Sequence, residues 1–357
     1  MRILYAIQGT GNGHLSRARD IIPVLEKKGD VDILVSGIQA DVELPYKVTY
    51  KFKGLSFIFG KKGGVDILDT YKKSNLRRLF KEVNSLPVEK YNLVINDFEP
   101  VSAWACYTKN KSCIALSHQT AVLNENAPKP EHNDFWGKSI MKHYAPSTAQ
   151  FGFHFKAYDN NIFTPVIRKE IRELTPTNKG HYTVYLPAYD DERIIKVLNE
   201  LKGIEWQVFS KHNKRIVHTK NIFIQPINNT AFINSMANAT GVLCGAGFET
   251  PAEALYLKKK LMVIPMRAQF EQHCNAAALQ EMGVPVLKNL KKKHLDKIKA
   301  WTESGIKISV DYPDITESII DLIIEKHTAA REPVMLGRKI YSLKKFRSYA
   351  LKKVLAQ

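Results

Sequence analysis

Short apolar runs alternate with amphipathic segments twice along this chain, and a proline-bearing stretch separates the two series. In the first series, residues 3–7, 31–35, 56–59, 93–96 and 113–116 read as strands, and 15–28, 68–83 and 101–107 as helices. Residues 36–48 carry mixed signals, a short helix is expected over 135–143, and 150–155 reads as the last strand of this half. In the second series, 182–186, 205–209, 222–224, 242–244 and 261–264 read as strands, with helices over 190–201, 231–236, 251–257 and 269–282. Strands that alternate with helices predict parallel sheets covered on both faces. The expected fold class is therefore α/β, with two Rossmann-like parallel-sheet lobes facing across a cleft. The expected division is an N-terminal domain over 1–155, a linker over 156–179, a C-terminal domain over 180–330 and a basic C-terminal helix over 331–357. A length of 357 residues fits two cores better than one. Ligands of such sheets sit at the carboxyl ends of the strands, so chemistry is expected in those loops.

Charge narrows the partners. The 53 basic and 35 acidic side chains give a net charge of +18, which favours nucleic acid, an anionic lipid surface or a phosphorylated substrate. Residues 331–357 hold eight basic residues and one acidic one. On a helix, Leu336, Ile340, Leu343, Phe346, Ala350, Leu351 and Val354 would form one stripe, interrupted by Arg347. Such a helix either packs back on the N-terminal lobe or lies on a membrane surface. A second basic group, Lys51, Lys53, Lys61, Lys62, Lys72, Lys73, Arg77 and Arg78, surrounds a glycine-rich loop at 60–64. Solvated surface lysine explains either cluster equally well. A nucleic-acid partner is disfavoured by the lack of an interleaved aromatic and basic motif. Four cysteines, none in a CxxC pair, supply neither a disulfide scaffold nor a zinc-like cluster. With no signal-peptide pattern and no window of ~18 uninterrupted apolar residues, the expected location is cytoplasmic, either soluble or peripheral on the inner face of the membrane.

Three loops hold the candidate chemistry. The first reads Gln8-Gly9-Thr10-Gly11-Asn12-Gly13-His14-Leu15-Ser16-Arg17. Its alternate glycines between strand and helix let a backbone approach a ligand closely, and the free N–H groups of the helix favour an anion. It fails as a dinucleotide fingerprint, because His14 stands where a small residue is needed, and as a P-loop, because no Gly-Lys-Ser/Thr follows. What remains is an imidazole at a helix start, where a neutral ring is expected to be available as a base. The structural alternative has His14 simply cap the helix or fill a gap. Asp97 either orients His14, meets a substrate hydroxyl or caps the next helix. His118, with Gln119, either contacts substrate or is a polar loop residue.

The second half offers Cys244-Gly245-Ala246-Gly247-Phe248-Glu249-Thr250-Pro251-Ala252-Glu253. Thr250 as cap, Pro251 at the first helical position and Glu253 three residues on would form a capping box. The functional alternative has Glu253 accept from a ribose diol while the glycines and helix N-terminus face a diphosphate. After the strand over 261–264, Arg267, Glu271 and Gln272 begin another helix, within reach of sugar hydroxyls. No carboxylate pair has the spacing of a metal site.

These motifs resemble metal-independent glycosyltransferases of the two-lobed (GT-B) type. The pattern is most similar to the peptidoglycan enzyme that adds N-acetylglucosamine to a lipid-linked precursor, and resembles the plant galactolipid synthases. Gly13-His14 matches the end of the family's first-lobe loop. Gly247, Glu253, Pro265, Gln272, Asn275 and Ala276 match its donor signature in order, and Thr164-Pro165-Val166-Ile167-Arg168 resembles its Asn-Pro-Val-Arg segment. Ser117-His118-Gln119-Thr120 stands where the family has an acceptor-side stretch. The chain departs from the family at Leu186-Pro187-Ala188-Tyr189-Asp190, where a glycine- and serine-rich loop is expected, and at Gly245-Ala246-Gly247, which replaces Arg-Ser-Gly. A diphosphate-steadying cation must then come from elsewhere, with Arg267, Arg168 and Lys211 as candidates. The resemblance implies inverting transfer from a nucleotide diphosphate sugar, with a UDP-sugar expected, to an acceptor hydroxyl carried on a lipid. It implies no cofactor and no metal. His14 and Asp97 would be catalytic. Gly245, Gly247, Phe248, Glu249, Thr250, Glu253, Arg267, Glu271 and Gln272 would bind the donor, and Gly11, Asn12, Gly13, His118 and Gln119 the acceptor. The alternatives are a nucleotide-sugar 2-epimerase of the same architecture and a non-enzymatic polyanion binder.

Overall fold

The computed structural model describes residues 1–37, 44–55, 76–131, 134–267 and 269–328. The expected strand at 56–59, the 60–64 loop and the basic C-terminal helix lie outside them. Two sheets form the frame. The first has seven parallel strands in the order β3-β2-β1-β4-β5-β6-β7: β1 (Arg2–Gln8), β2 (Asp30–Ser36), β3 (Val48–Phe52), β4 (Leu93–Asp97), β5 (Ile114–Ser117), β6 (Ala149–Phe153) and β7 (Ile162–Phe163). The second runs β10-β11-β9-β8-β12-β13: β8 (Tyr182–Tyr185), β9 (Trp206–Ser210), β10 (Val217–Thr219), β11 (Ile222–Pro226), β12 (Gly241–Gly245) and β13 (Lys260–Ile264). It is parallel except for the β10–β11 pair.

The strands read from sequence are apolar because both faces are covered. Ile3, Tyr5 and Ile7 of β1 pack beneath α1 (Asn12–Glu26), whereas Leu4 and Ala6 point to the other face, with Leu79 and Val83 of α2 (Leu76–Ser85) and Val101 and Trp104 of α3 (Pro100–Lys109). In the second lobe, Leu243 and Val184 face one core while Val242 and Cys244 join a cluster continuous with that of the first lobe.

Two segments redraw the expected boundaries. The stretch read as linker contains β7, which pairs with β6 as the outer strand of the first sheet. The helix Thr316–Thr328, α12, lies within the stretch expected to be C-terminal domain but packs on α1: Ile319, Ile320 and Ile323 share a core with Ile21, Ile22 and Leu25. Lys28 at the end of α1 pairs with Asp321 at 2.7 Å and Glu317 at 3.2 Å. The chain therefore crosses between the lobes twice.

Strand order reverses direction between β1 and β4 in the first sheet and, among the parallel strands of the second, between β8 and β12. Crevices open at such switch points, beyond the carboxyl ends of the strands. The turn after β1 leads to His14 on the first turn of α1, Asp97 closes β4, and Gly245 through Glu249 span the end of β12, its loop and the start of the next helix.

Candidate active site

Each catalytic candidate is fixed by its own turn. Gly9 N–H donates to Ser36 O at 2.6 Å, which ties the first glycine loop to β2. Gly11 precedes α1 at φ 91°, a conformation open to glycine, and places His14 on the first turn of the helix. Asp97 ends β4, and Ile7 is its neighbour in β1. Glu99, not Asp97, caps the following helix, accepting from Val101 N–H and Ser102 N–H at 2.6 Å each. Asp97 is thus free of the capping role. Between them Phe98 adopts φ 56°, a left-handed conformation that costs a phenylalanine on the order of 1–2 kcal/mol and is held by Asn96, which bonds both backbone groups of Glu99.

The turn aims Asp97 at His14. Nδ1 of His14 lies 2.8 Å from Asp97 Oδ1, so the ring donates its Nδ1–H to the carboxylate and carries its lone pair on Nε2. Burial pulls the His14 ring toward its neutral form, but the charge of Asp97 and the hydrogen bond to it outweigh burial, and the net shift is upward. This corrects the expectation that the helix start would dominate: a carboxylate at 2.8 Å is a stronger field than a partial helix charge. Burial likewise pushes the Asp97 carboxyl up, and Arg17 with His14 reverses it to a net lowering.

Arg17 was given no role by the sequence, although its position one turn after His14 put both on one helix face. Its side chain is 2% exposed. Nη2 donates to both oxygens of Asp97 at 2.8 Å, and Nη1 donates across the cleft to Glu249 Oε1 at 2.7 Å. Gln119 completes the group: its amide nitrogen lies 3.4 Å from His14 Nε2 and donates to Glu271 Oε2 of the second lobe at 3.0 Å.

Other candidates are placed differently. His118 is buried between the lobes, with Nδ1 2.7 Å from Phe153 O, Nε2 2.7 Å from Asn275 Oδ1 and its ring stacked on Phe248 at 3.9 Å. It is an inter-lobe contact rather than an open acceptor-side group, and Phe248 is its partner. The helix after β12, α9 (Glu249–Tyr256), starts two residues earlier than the Thr250 capping box requires, with Phe248 as cap residue and no side-chain cap. Thr250 is therefore inside the first turn, where Pro251 is tolerated because its missing N–H has no helical partner. Glu253 is buried and accepts from Arg168 Nε at 2.5 Å and Nη2 at 2.9 Å, so both oxygens are engaged. Burial raises its carboxyl, and Arg168 opposes that only in part. Arg168 also reaches Glu170 and Asn229. Gln272 accepts from Met266 N–H at 2.9 Å at the start of α10 (Phe270–Glu281), and Arg267 is exposed in the preceding turn. Gly247 borders open space. Among the described residues no three His, Cys, Asp or Glu side chains gather as a metal site, and no helix is long and apolar enough to cross a membrane.

Known proteins share the two-lobed frame. Solved structures with the same fold include Acinetobacter baumannii MurG (14% identity, TM-score 0.55, 91% of this chain and 99% of that one). Arabidopsis thaliana UGT89C1 complexed with quercetin is another (11%, 0.57, 99% of each), as is the glycosyltransferase SnogD from Streptomyces nogalater (10%, 0.53, 98% and 99%). The fold is thus GT-B. No curated protein matches the chain in sequence. The sequence profile of glycosyl transferase family 1 matches residues 1–303, and this chain, with its two switch-point loops meeting across the cleft, belongs to that family.

Proposed function

We propose that the protein transfers a sugar, with inversion, from a nucleoside diphosphate sugar to an acceptor hydroxyl, with His14 as general base. The observation that carries this is the 2.8 Å contact from His14 Nδ1 to Asp97 at the first switch point, which leaves Nε2 as the proton acceptor. Nε2 takes the hydroxyl proton while the oxygen attacks the anomeric carbon on the face opposite the leaving diphosphate. One displacement inverts the centre. Gly245, Gly247 and the N-terminus of α9 supply backbone donors for the departing diphosphate without a metal. Glu271 and Gln272 stand at the start of α10 for the sugar hydroxyls. UGT89C1 and LpCGTa have been solved with UDP, which supports uridine as the first base to test. The sugar would be a hexose or N-acetylhexosamine. The test is product analysis with a panel of UDP-sugars and acceptors in the presence of a strong chelator. Free UDP that forms only when an acceptor is present is the expected result. An isomerised nucleotide sugar, or a complete loss that magnesium restores, overturns the reading.

The same geometry sets a pH dependence. A base must be neutral, so kcat/KM is expected to fall as pH drops through the raised pKa of His14, with the midpoint above the ordinary histidine value of about 6.5. Asp97→Asn removes the charge that raises it, burial then prevails, and the midpoint should move down as turnover falls. An acidic limb that stays in place would assign the base elsewhere.

The finer reading of the acceptor, a hydroxyl carried on a lipid, is supported by the basic excess in 331–357. Co-sedimentation with anionic but not neutral vesicles at low salt is expected, and its failure returns the charge to general surface character.

A further inference from the structure

The meeting point of the two glycine loops is already occupied by an anion of the protein itself. Glu249 stands on the first turn of α9, and its carboxylate lies so close against Gly13 that a side-chain carbon there would overlap it. The first turn of α1 borders the same spot. The carboxylate is held by Arg17 at 2.7 Å, yet remains 28% exposed, whereas Arg17 is 2% exposed and its Nε is buried without a partner. Arg17 thus keeps one face on Asp97 and turns the other toward two helix N-termini. That combination selects anions: two sets of orphan backbone donors and a guanidinium fork.

The remaining cationic candidates are poorly placed for this task. Arg168 is committed to Glu253, Glu170 and Asn229, and Arg267 is exposed beyond β13.

We propose that Arg17 is the diphosphate-binding cation of the donor site, and that Glu249 is an internal stand-in that the diphosphate displaces. This rests on the nucleotide-sugar reading above. Nη1 passes from the Glu249 carboxylate to a phosphate oxygen, Glu249 turns out to solvent, and Nη2 stays on Asp97. One guanidinium then touches both the leaving group and the carboxylate that orients the base, so donor binding and the His14–Asp97 pair share a residue.

Isothermal titration with UDP, inorganic pyrophosphate and uridine tests the exchange. Glu249→Gln keeps the shape but removes the competing charge, and should tighten UDP and pyrophosphate roughly tenfold, within the usual range for coupled sites, while uridine is unchanged. Arg17→Met should weaken UDP and pyrophosphate by about 10- to 100-fold, the scale of a lost charged hydrogen bond, again sparing uridine. Arg17→Lys keeps the charge that balances Asp97, and gives an intermediate loss should the Met variant fail to fold. UDP binding that is unchanged or weaker in Glu249→Gln overturns the stand-in role and leaves the donor reading intact. If the wild type binds none of UDP, GDP, ADP, CDP or dTDP, the donor reading falls and this assignment falls with it.

Discussion

Replacing His14 by alanine is expected to lower turnover by ~10²–10⁴-fold while nucleotide binding stays nearly intact. The separation follows from the placement of the groups. His14, on the first turn of α1, is separate from the second-lobe backbone donors, Glu271 and Gln272 that would hold the donor, and its loss leaves Arg17, the one first-lobe group assigned to the diphosphate, anchored on Asp97. Alanine removes one hydrogen bond to Asp97, and Arg17 still satisfies both oxygens of that carboxylate at 2.8 Å. No buried charge is stranded, so the fold should lose about 1 kcal/mol. Single-turnover rates, UDP titration and urea denaturation separate the outcomes. Near-normal turnover, or a stability loss that by itself accounts for the lost activity, would remove His14 from the base role. His118→Ala provides the contrast: it opens a hole between the lobes beside Phe248 and Asn275, and its effect should appear first in stability.

The second large effect is on stability. Glu253→Ala is expected to cost about 3 kcal/mol, because breaking a buried pair leaves an uncompensated charge. Arg168 would keep Glu170 as a partner, which holds the loss to the lower end of the usual range. Arg168→Met with Glu253→Leu should cost clearly less than the single changes combined, since no charge remains buried. Denaturation midpoints check both. A Glu253→Ala protein of unchanged stability but sharply weaker UDP binding would restore the ribose role that its spacing from Gly247 suggests. The residue after Arg168 is tied to the first lobe, where Asp20 of α1 accepts from Lys169 N–H at 2.8 Å. The pair therefore pins the connection between the lobes against α9.

Much of the frame could be read from the chain because parallel strands buried on both faces are continuous apolar runs: 3–7 became β1 and 261–264 became β13, each extended by a residue or two. β7, with two residues, and β10, with three, are too short to show a period. Thr250 and Pro251 carried a sound capping pattern that lost to an earlier helix start at Glu249, since a proline within the first turn breaks no helical bond. The His14–Asp97 pairing was among the open readings, because each residue ended a strand-to-helix turn. Arg17 and Glu249 are 232 positions apart, and Arg168 and Glu253 are 85 apart. No local spacing expresses such pairs. The facing switch points of the two sheets bring the first pair together, and the connection between the lobes brings the second.

The double crossing between the lobes restricts how the cleft can move. Residues 155–179 carry the chain outward, and 304–315 bring it back to Tyr312, whose hydroxyl donates to Phe155 O at 3.1 Å. A single connection would let one lobe twist, slide and swing on the other. Two connections that pass close together leave one soft degree of freedom, a rotation about the line through them. Phe155 lies near that axis with its ring 5.2 Å from that of Phe248, and Arg17 lies over the Phe153 ring at 5.4 Å, so the Arg17–Glu249 pair sits close to the axis as well. The charge pair therefore works beside the pivot, where a small change in its length on exchanging one anion for another becomes a larger displacement in the outer parts of the lobes.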